Sequence, residues 1–346
     1  MSQSQGQCDE QVMVEIREVR RCKIASGERR HRAFTGALRL ADGDMLVFYR
    51  EATDHWATDD GGVMMVRSTD DGRTWSAPRR IFSRSRWSSA AHHGPAQLSD
   101  GRILLPLTLI RHFPKEHERE RELQIHLIVS ADGGRSWSRS VRLGPMEGWR
   151  WQNNYGRVRE TSDGRILVPG GGQKIGEEPW YSGYFVSDDG GLTFPGRVDV
   201  AQGLADEIDM TPLPDGRWIA MVRDEKEPYH LHQACSQDEG CTWSTPVPSS
   251  ILGHCPSFLA LRSGTILLGH RQVDTARPYG CTLSASKDGG ATWMHVSDIY
   301  VSPLKEWDSS YPSMVQLEDG RVFCSYYGQY QDGNSDIEGI TFEVAE

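Results

Sequence analysis

The 346-residue chain has no apolar run approaching the roughly 18 residues that a membrane-spanning helix needs, and its mean hydropathy is −0.55. No membrane span is expected. Basic residues are also in short supply: Lys and Arg total 38 against 48 Asp and Glu, a net charge of −10. Binding to nucleic-acid phosphates relies on clustered Lys and Arg, so no nucleic-acid partner is expected. The seven cysteines (Cys8, Cys22, Cys235, Cys241, Cys255, Cys281, Cys324) are odd in number and lack C-x-x-C spacing. That argues against a disulfide framework or a zinc site, and for thiols in a reducing compartment. The opening MSQSQGQCDE is polar and lacks the basic-then-apolar order of a signal peptide, so the expected location is the cytoplasm. No HExxH or comparable ligand spacing occurs, and neither a metal nor another cofactor is expected. Apolar residues at helical spacing are scarce throughout, which disfavours an α/β fold. No motif speaks to the oligomeric state.

What the chain has instead is glycine (36) and tryptophan (11), arranged in repeats. A turn between apolar runs recurs six times: LRLADGDMLVF at Gly43, AQLSDGRILLPL at Gly101, RETSDGRILVP at Gly164, TPLPDGRWIAMV at Gly216, LALRSGTILLG at Gly264 and VQLEDGRVFCSY at Gly320. Asp-Gly between hydrophobic runs is a strong hairpin signal, because the tight turn needs positive φ at both central residues. Between these turns lies a second signature, S-x-D-x-G-x-[TS]-[WF], in five copies: Ser68–Trp75, Ser130–Trp137, Ser187–Phe194, Ser236–Trp243 and Ser286–Trp293. Its Asp can accept backbone N–H groups, its Gly can supply a left-handed residue, and its aromatic can fit between neighbouring sheets.

Each unit thus reads strand, turn, strand, loop, strand, box, strand over 48–63 residues. Four short strands per repeat is the pattern of a β-propeller blade. The expected fold is all-β, a six-bladed propeller of four-stranded antiparallel blades. The sixth unit has a third strand near Ile337–Val344 but no fourth, and Gln11–Arg20 is expected to supply it and close the ring. Residues 1–10 would then be a flexible tail, and 11–346 one domain. The box aromatics are expected to be largely buried, each worth about 3–5 kcal/mol on truncation to Ala.

The boxes resemble the Asp box, or bacterial neuraminidase repeat, and residues 12–344 resemble the sialidase superfamily. Non-catalytic propellers carry the same boxes, so the boxes themselves speak to fold rather than function. The resemblance implies an exo-acting, retaining glycoside hydrolase. Its parts would be an arginine triad for the substrate carboxylate, a Tyr nucleophile, a Glu to take the Tyr proton and an Asp as acid/base. A phenol suits an anomeric centre that already bears a carboxylate, since a carboxylate nucleophile would be repelled.

Carried onto this sequence, the pattern makes Tyr311 in SSYPSM the nucleophile and Glu207 in EIDM its partner, with Asp206 or Asp209 as alternatives should the register shift. Arg223 would bind the carboxylate, and Arg277, with Arg271 in competition, would be the second arginine. In the first unit, aligning Gly36 with the family's proline puts Phe34 where the first triad arginine belongs. Arg32, two residues earlier on the same strand face, is the expected substitute. For the acid/base, Asp54, Asp59 and Asp60 share one loop, and Asp54 is favoured. His93, in the His92-His93 pair, is a candidate substrate contact, Arg111–Glu122 a candidate lid, and Trp149–Tyr155 a candidate sugar-binding rim. The expected partner is a carbohydrate with a terminal acidic sugar. Two other functions fit the sequence: a non-catalytic glycan- or protein-binding propeller, and an enzyme acting on uronate-containing polysaccharides.

Overall fold

The computed structural model describes residues 13–55, 59–90, 94–113, 121–144, 148–304, 308–331 and 335–346. These form strands throughout, and no helix among them is long and apolar enough to cross a membrane. Six groups of antiparallel strands follow one another along the chain. The first comprises His31–Arg39, Met45–Ala52, Gly62–Ser68 and Arg79–Phe82. In the second, Ser88–Ala90 and Ala96–Gln97 share one edge of Ile103–His112, followed by Arg121–Ser130 and Val141–Arg142. In the third, Trp149–Asn153 and Arg159–Glu160 flank Ile166–Lys174, then Trp180–Ser187 and Gly196–Gln202. The fourth and fifth share the long strand Val247–Ala260, which pairs with His230–Ser236 through its first half and with Ile266–Gln272 through its second. Ile208–Pro212 and Trp218–Val222 complete the fourth; Gly280–Ser286 and Met294–Val301 complete the fifth.

The sixth group holds Ser310–Gln316, Val322–Gln329, Ser335–Ala345 and, as its outer strand, Glu15–Ala25. Glu15 faces Ala345 and Ala25 faces Ile337, so the N-terminal strand does pair where expected, extending five residues beyond Arg20. Residues 1–12 lie outside the described part of the chain.

Register explains which end of each sheet does what. Met45 opposes Ser68, Ile166 opposes Ser187, Trp218 opposes Ser236 and Ile266 opposes Ser286, so turns and boxes lie together at one end. Tyr311 lies at the other end of its hairpin, beyond the Ser313–Ser325 pair and away from Gln316 and Val322 beside the turn. In each box the Ser hydroxyl and the Asp carboxylate meet, and the Asp accepts from the following Thr or Ser. In the first box Asp70 accepts from Ser68 Oγ at 2.8 Å and from Thr74 N and Oγ1 at 2.8 and 2.6 Å. The box aromatics are half-buried rather than fully buried, because each caps the end of a sheet instead of entering its middle. Trp75 packs on Phe323, Trp137 on Phe48, and Trp243 donates to Tyr184 Oη at 2.7 Å.

The apolar core is divided into six clusters, each between two successive groups. The sixth joins the last group to the first through Phe323, Tyr327 and Ile337 against Val47, Tyr49 and Val66.

Candidate functional site

At the end opposite the boxes lies a cavity of about 820 Å³. Two of its lining residues, and a third residue hydrogen-bonded to Glu207 of the lining, are held in unusual backbone conformations. Phe34, Cys255 and Tyr311 have φ of 62°, 53° and 48°, a left-handed region that side chains other than Gly seldom occupy and that clusters at functional sites. Each sits where the pairing of its strand with the next slips, at a bulge between Ala33 and Gly36, His254 and Ser257, or Ser310 and Ser313. Such bulges re-aim side chains. Phe34 and Tyr311 both line the cavity as a result, with ring centroids 5.0 Å apart.

The Tyr311 hydroxyl donates to Glu207 Oε1 through a short hydrogen bond. Glu207 Oε1 also lies 3.0 Å from Arg223 Nη1, and its Oε2 accepts the Cys255 backbone N–H at 2.8 Å. Arg271 lies with its guanidinium 5.0 Å from the Tyr311 ring centre, and its Nε donates to Ser309 O at 3.0 Å. Burial alone would raise the Glu207 carboxyl, but the Arg223 and Arg271 charges outweigh it and hold the group well below the usual carboxylate range. Tyr311 moves the other way. Burial and its negative neighbours push the phenol well up, against the two arginines. At rest the couple is a phenol beside a carboxylate.

The cavity's other wall holds a histidine–aspartate cluster. His31 Nε2 and His55 Nδ1 approach Asp308 Oδ2 at 3.0 and 2.8 Å, and Tyr327 Oη donates to Asp308 Oδ1 at 2.7 Å. Arg50, which also lines the cavity, makes three hydrogen bonds there: Nε to Ser88 Oγ at 2.9 Å, Nη1 to His31 Nδ1 at 3.2 Å and Nη2 to Asp54 O at 2.9 Å. Opposite, Asp206 accepts a short bond from Asn153, and burial raises its carboxyl.

The structure therefore brings Tyr311, Glu207, Arg223 and Arg271 into one cavity. Arg277 departs from expectation: it is part-exposed, does not line the cavity, and pairs with Asp298 at 2.6 Å. Arg32 does not line it either. The bulge breaks the alternation that would have put it on the face of Phe34, and it pairs with Glu51, directly opposite, at 2.8 Å. The Asp54 side chain is exposed and outside the cavity lining, whereas its neighbour His55 lines it. Asp59 binds His112 and Asp60 binds Thr53. Asp209 is structural, accepting the backbone N–H groups of Arg157 and Phe258. His92 and His93 lie outside the described residues, as do 114–120 of the candidate lid, although His112 and Arg121 at its ends line the cavity. In the candidate rim, Trp149 packs on Tyr181, and Tyr155 is buried with its hydroxyl on Pro256 O.

Sequence reasoning missed Arg50, His55 and Asp308. A signal for Arg50 existed. Arg50, Arg223 and Arg271 each stand seven residues after their turn glycine, and Phe34, Tyr155, Glu207, Cys255 and Tyr311 each stand nine before theirs. The site is one frame read in successive units. The third unit carries Gly171 at the later position, where a Cβ would come within 2.8 Å of Asp206.

Repeat, sheet order and site together define the class. The family profile described as a BNR repeat-like domain matches residues 5–143 and 115–324, and the chain belongs to that family. It is 26% identical over 345 residues to a sialidase of Micromonospora viridifaciens, covering 88% of this chain and half the length of that protein. In fold it is similar to a protein of unknown function from Dyadobacter fermentans, with a TM-score of 0.83, 22% identity and coverage of 95% and 99% of the two chains. It is likewise similar to the intramolecular trans-sialidase from Ruminococcus gnavus solved with oseltamivir carboxylate, with a TM-score of 0.67, 15% identity and coverage of 86% and 90%.

Proposed function

We propose that this chain is an exo-acting, retaining glycoside hydrolase that removes a terminal acidic sugar. The observation that carries the reading is the Tyr311–Glu207 hydrogen bond between buried Arg271 and half-buried Arg223. The two residues lie more than a hundred positions apart, on the sixth and fourth groups of strands. An ion pair alone has no need of the tyrosine.

In this reading Arg223 and Arg271 hold the substrate carboxylate. Both arginines line the cavity. The bound carboxylate does more than anchor the sugar. The same two arginines depress Glu207, so a second anion beside them weakens their hold and raises the basicity of Glu207. The phenol proton then passes to Glu207 as the Tyr311 oxygen attacks the anomeric carbon, and the leaving oxygen departs with a proton from an acid/base group that recovers one from the water of the second step. Water reverses the sequence: its oxygen bonds the anomeric carbon, and the phenolate takes its proton back from Glu207. Two displacements at one carbon give net retention.

Phe34 supports a broader substrate class than sialic acid. An apolar ring stands where the family's pattern has a third arginine, and Arg50 makes hydrogen bonds through all three guanidinium nitrogens. In this reading Arg223 and Arg271 form the clamp, and a uronate or another nonulosonate fits it as well. The contacts between the first and last groups of strands support a closed six-bladed propeller as one domain.

The test is a panel of aryl glycosides of sialic, ketodeoxynonulosonic, glucuronic and neutral sugars, with the product anomer followed by proton NMR. Hydrolysis of one acidic sugar with retention is expected. Binding of acidic glycans without turnover would move the reading to a non-catalytic binding propeller.

A further inference from the structure

Two stretches of this acidic chain carry no Asp or Glu: residues 72–99 hold five arginines and residues 133–144 hold three. We propose that arginines of these stretches form a docking track for an acidic polysaccharide whose terminal sugar enters the cavity. The choice of a carboxylate-bearing chain as the occupant rests on the Tyr311–Glu207 reading.

The fold brings the two stretches together. Each contains the outer strand of its group, Arg79–Phe82 in the first and Val141–Arg142 in the second. Arg79 reaches from one to the other, donating to Arg135 O at 2.9 Å and to Gly134 O at 2.5 Å. Further along, Arg142 stands opposite His126 on the neighbouring strand. His126 is held down to about 4, first by burial and then by the charges of Arg84 and Arg142, so both guanidiniums lie close to it. Arg79, Arg84, Arg135 and Arg142 thus border one seam, between the first and second groups. All four are exposed, and none pairs with a carboxylate among the described residues. Arg84 lies over the ring of buried Trp87, 4.8 Å from its centre. That contact fixes where its charge sits without an acidic partner.

The seam leads into the cavity. Arg84 stands four residues before Ser88, which lines the cavity, so at most about 14 Å of chain separates them. On the second group, the strand bearing His126 begins at Arg121, another lining residue, about 17 Å away by strand rise. A chain with its end in the cavity therefore lays its following sugars along the arginines. Cations gathered without carboxylates repel one another, and a polyanion relieves that repulsion. The whole chain carries −10, so the remaining surface repels a polyanion while the seam attracts it. That balance disfavours duplex nucleic acid, with a charge every ~1.7 Å of its axis, more than a polysaccharide with one carboxylate per sugar or per repeat. Arginine's planar fork also matches a carboxylate.

The experiment measures anisotropy of end-labelled polysialic acid, hyaluronate and polygalacturonate, with dextran as the neutral chain and poly(dT) as the nucleic acid. Wild type should bind at least one acidic polysaccharide and not dextran. In Arg84→Gln/Arg135→Gln/Arg142→Gln, Kd for that chain should rise about 3–150-fold at low salt, as for three exposed charge contacts. The difference should shrink in 1 M salt, where the screening length is about 3 Å. A second triple variant, Arg102→Gln/Arg217→Gln/Arg321→Gln, removes the same charge from the turn end, where each side chain pairs with an Asp. Its Kd should stay within about twofold of wild type at physiological salt. So should kcat/KM of the track variant on an aryl glycoside, which carries one acidic sugar and does not reach the seam.

Equal losses in the two triple variants would mean that only net charge matters, and would overturn the proposal. So would wild-type binding to none of the three polysaccharides, or tighter binding of poly(dT) than of any of them. The two readings separate cleanly. If wild type hydrolyses an acidic glycoside but the track variant binds its polymer unchanged, the docking track alone fails. If wild type hydrolyses none, yet the track variant loses polysaccharide binding, the catalytic reading fails and the track stands on a non-catalytic binding protein.

Discussion

A phenol buried between two guanidiniums becomes a nucleophile only if its proton has somewhere to go, and Glu207 is the acceptor within reach of the Tyr311 hydroxyl. Removing that oxygen in Tyr311→Phe should lower kcat by about 10³-fold or more, since nothing else replaces the covalent step. Calorimetric binding of the acidic sugar should stay within a few-fold of wild type. A variant that loses binding and turnover together would mean that the tyrosine packs rather than reacts. The arginines predict the opposite pattern. In the proposed reading Arg271→Ala removes a charged donor to the substrate carboxylate in both ground and transition states, worth about 1.5–3 kcal/mol, so Kd should rise about 10–150-fold. Arg277→Ala is the contrast, because that side chain is committed to Asp298 at 2.6 Å. Loss of affinity in Arg277→Ala but not in Arg271→Ala would reverse their roles.

The repeated element has a different chemistry at each end, and its box end is where acid should act first. Hydrogen bonds from Thr74 and Thr193 pull Asp70 and Asp189 down to about 2. A carboxyl lowered on folding contributes stability that is fully present above its unfolded value, near 3.9, and is lost as pH falls through the folded one. Wild-type Tm should therefore drop between about pH 4 and pH 2, and Asp70→Asn, which cannot titrate there, should lose less Tm across that window. Parallel curves would mean that the boxes are electrostatically idle. Trp75, half-buried on Phe323, should cost about 2 kcal/mol on truncation to Ala, nearer half the fully buried value. These elements were legible in sequence because turn and box chemistry is local: an Asp-Gly pair or a Ser-x-Asp spacing specifies its own backbone. In the site, the family resemblance reached Glu207, Arg223 and Tyr311, which share one cavity, and passed over Arg50 in the same frame. Arg32 was misjudged because a bulge at Phe34 cancels strand alternation, and no composition rule announces a bulge. Asp308 sits in a loop whose partners, His31 and His55, come from the other end of the chain.

At the scale of the whole molecule, what decides stability is whether the six groups of strands stand singly or together. Each buries its apolar faces against its neighbours, and a cluster of buried residues also joins the last group to the first. The N-terminal strand adds ties at the same seam. Arg21 Nη1 donates to Ile299 O at 2.6 Å and to Tyr326 Oη at 2.8 Å, while Arg20 Nη2 donates to Asp71 O at 3.0 Å. One strand thus touches the fifth, sixth and first groups. An open array of repeats frays from its ends, because terminal units have one neighbour instead of two. In the proposed closed ring no unit is terminal, so no group would leave without exposing two clusters at once. The box tryptophans Trp75, Trp137, Trp243 and Trp293 report on four separate groups. With 5-fluorotryptophan incorporated, their ¹⁹F signals should lose native intensity at one common urea midpoint, as a two-state unit requires. Deleting residues through Ala25 opens the seam and should break that coincidence, with Trp75, whose partner Phe323 lies across the seam, melting ahead of Trp243. Separate midpoints in the intact chain would show that the groups fold as an open array.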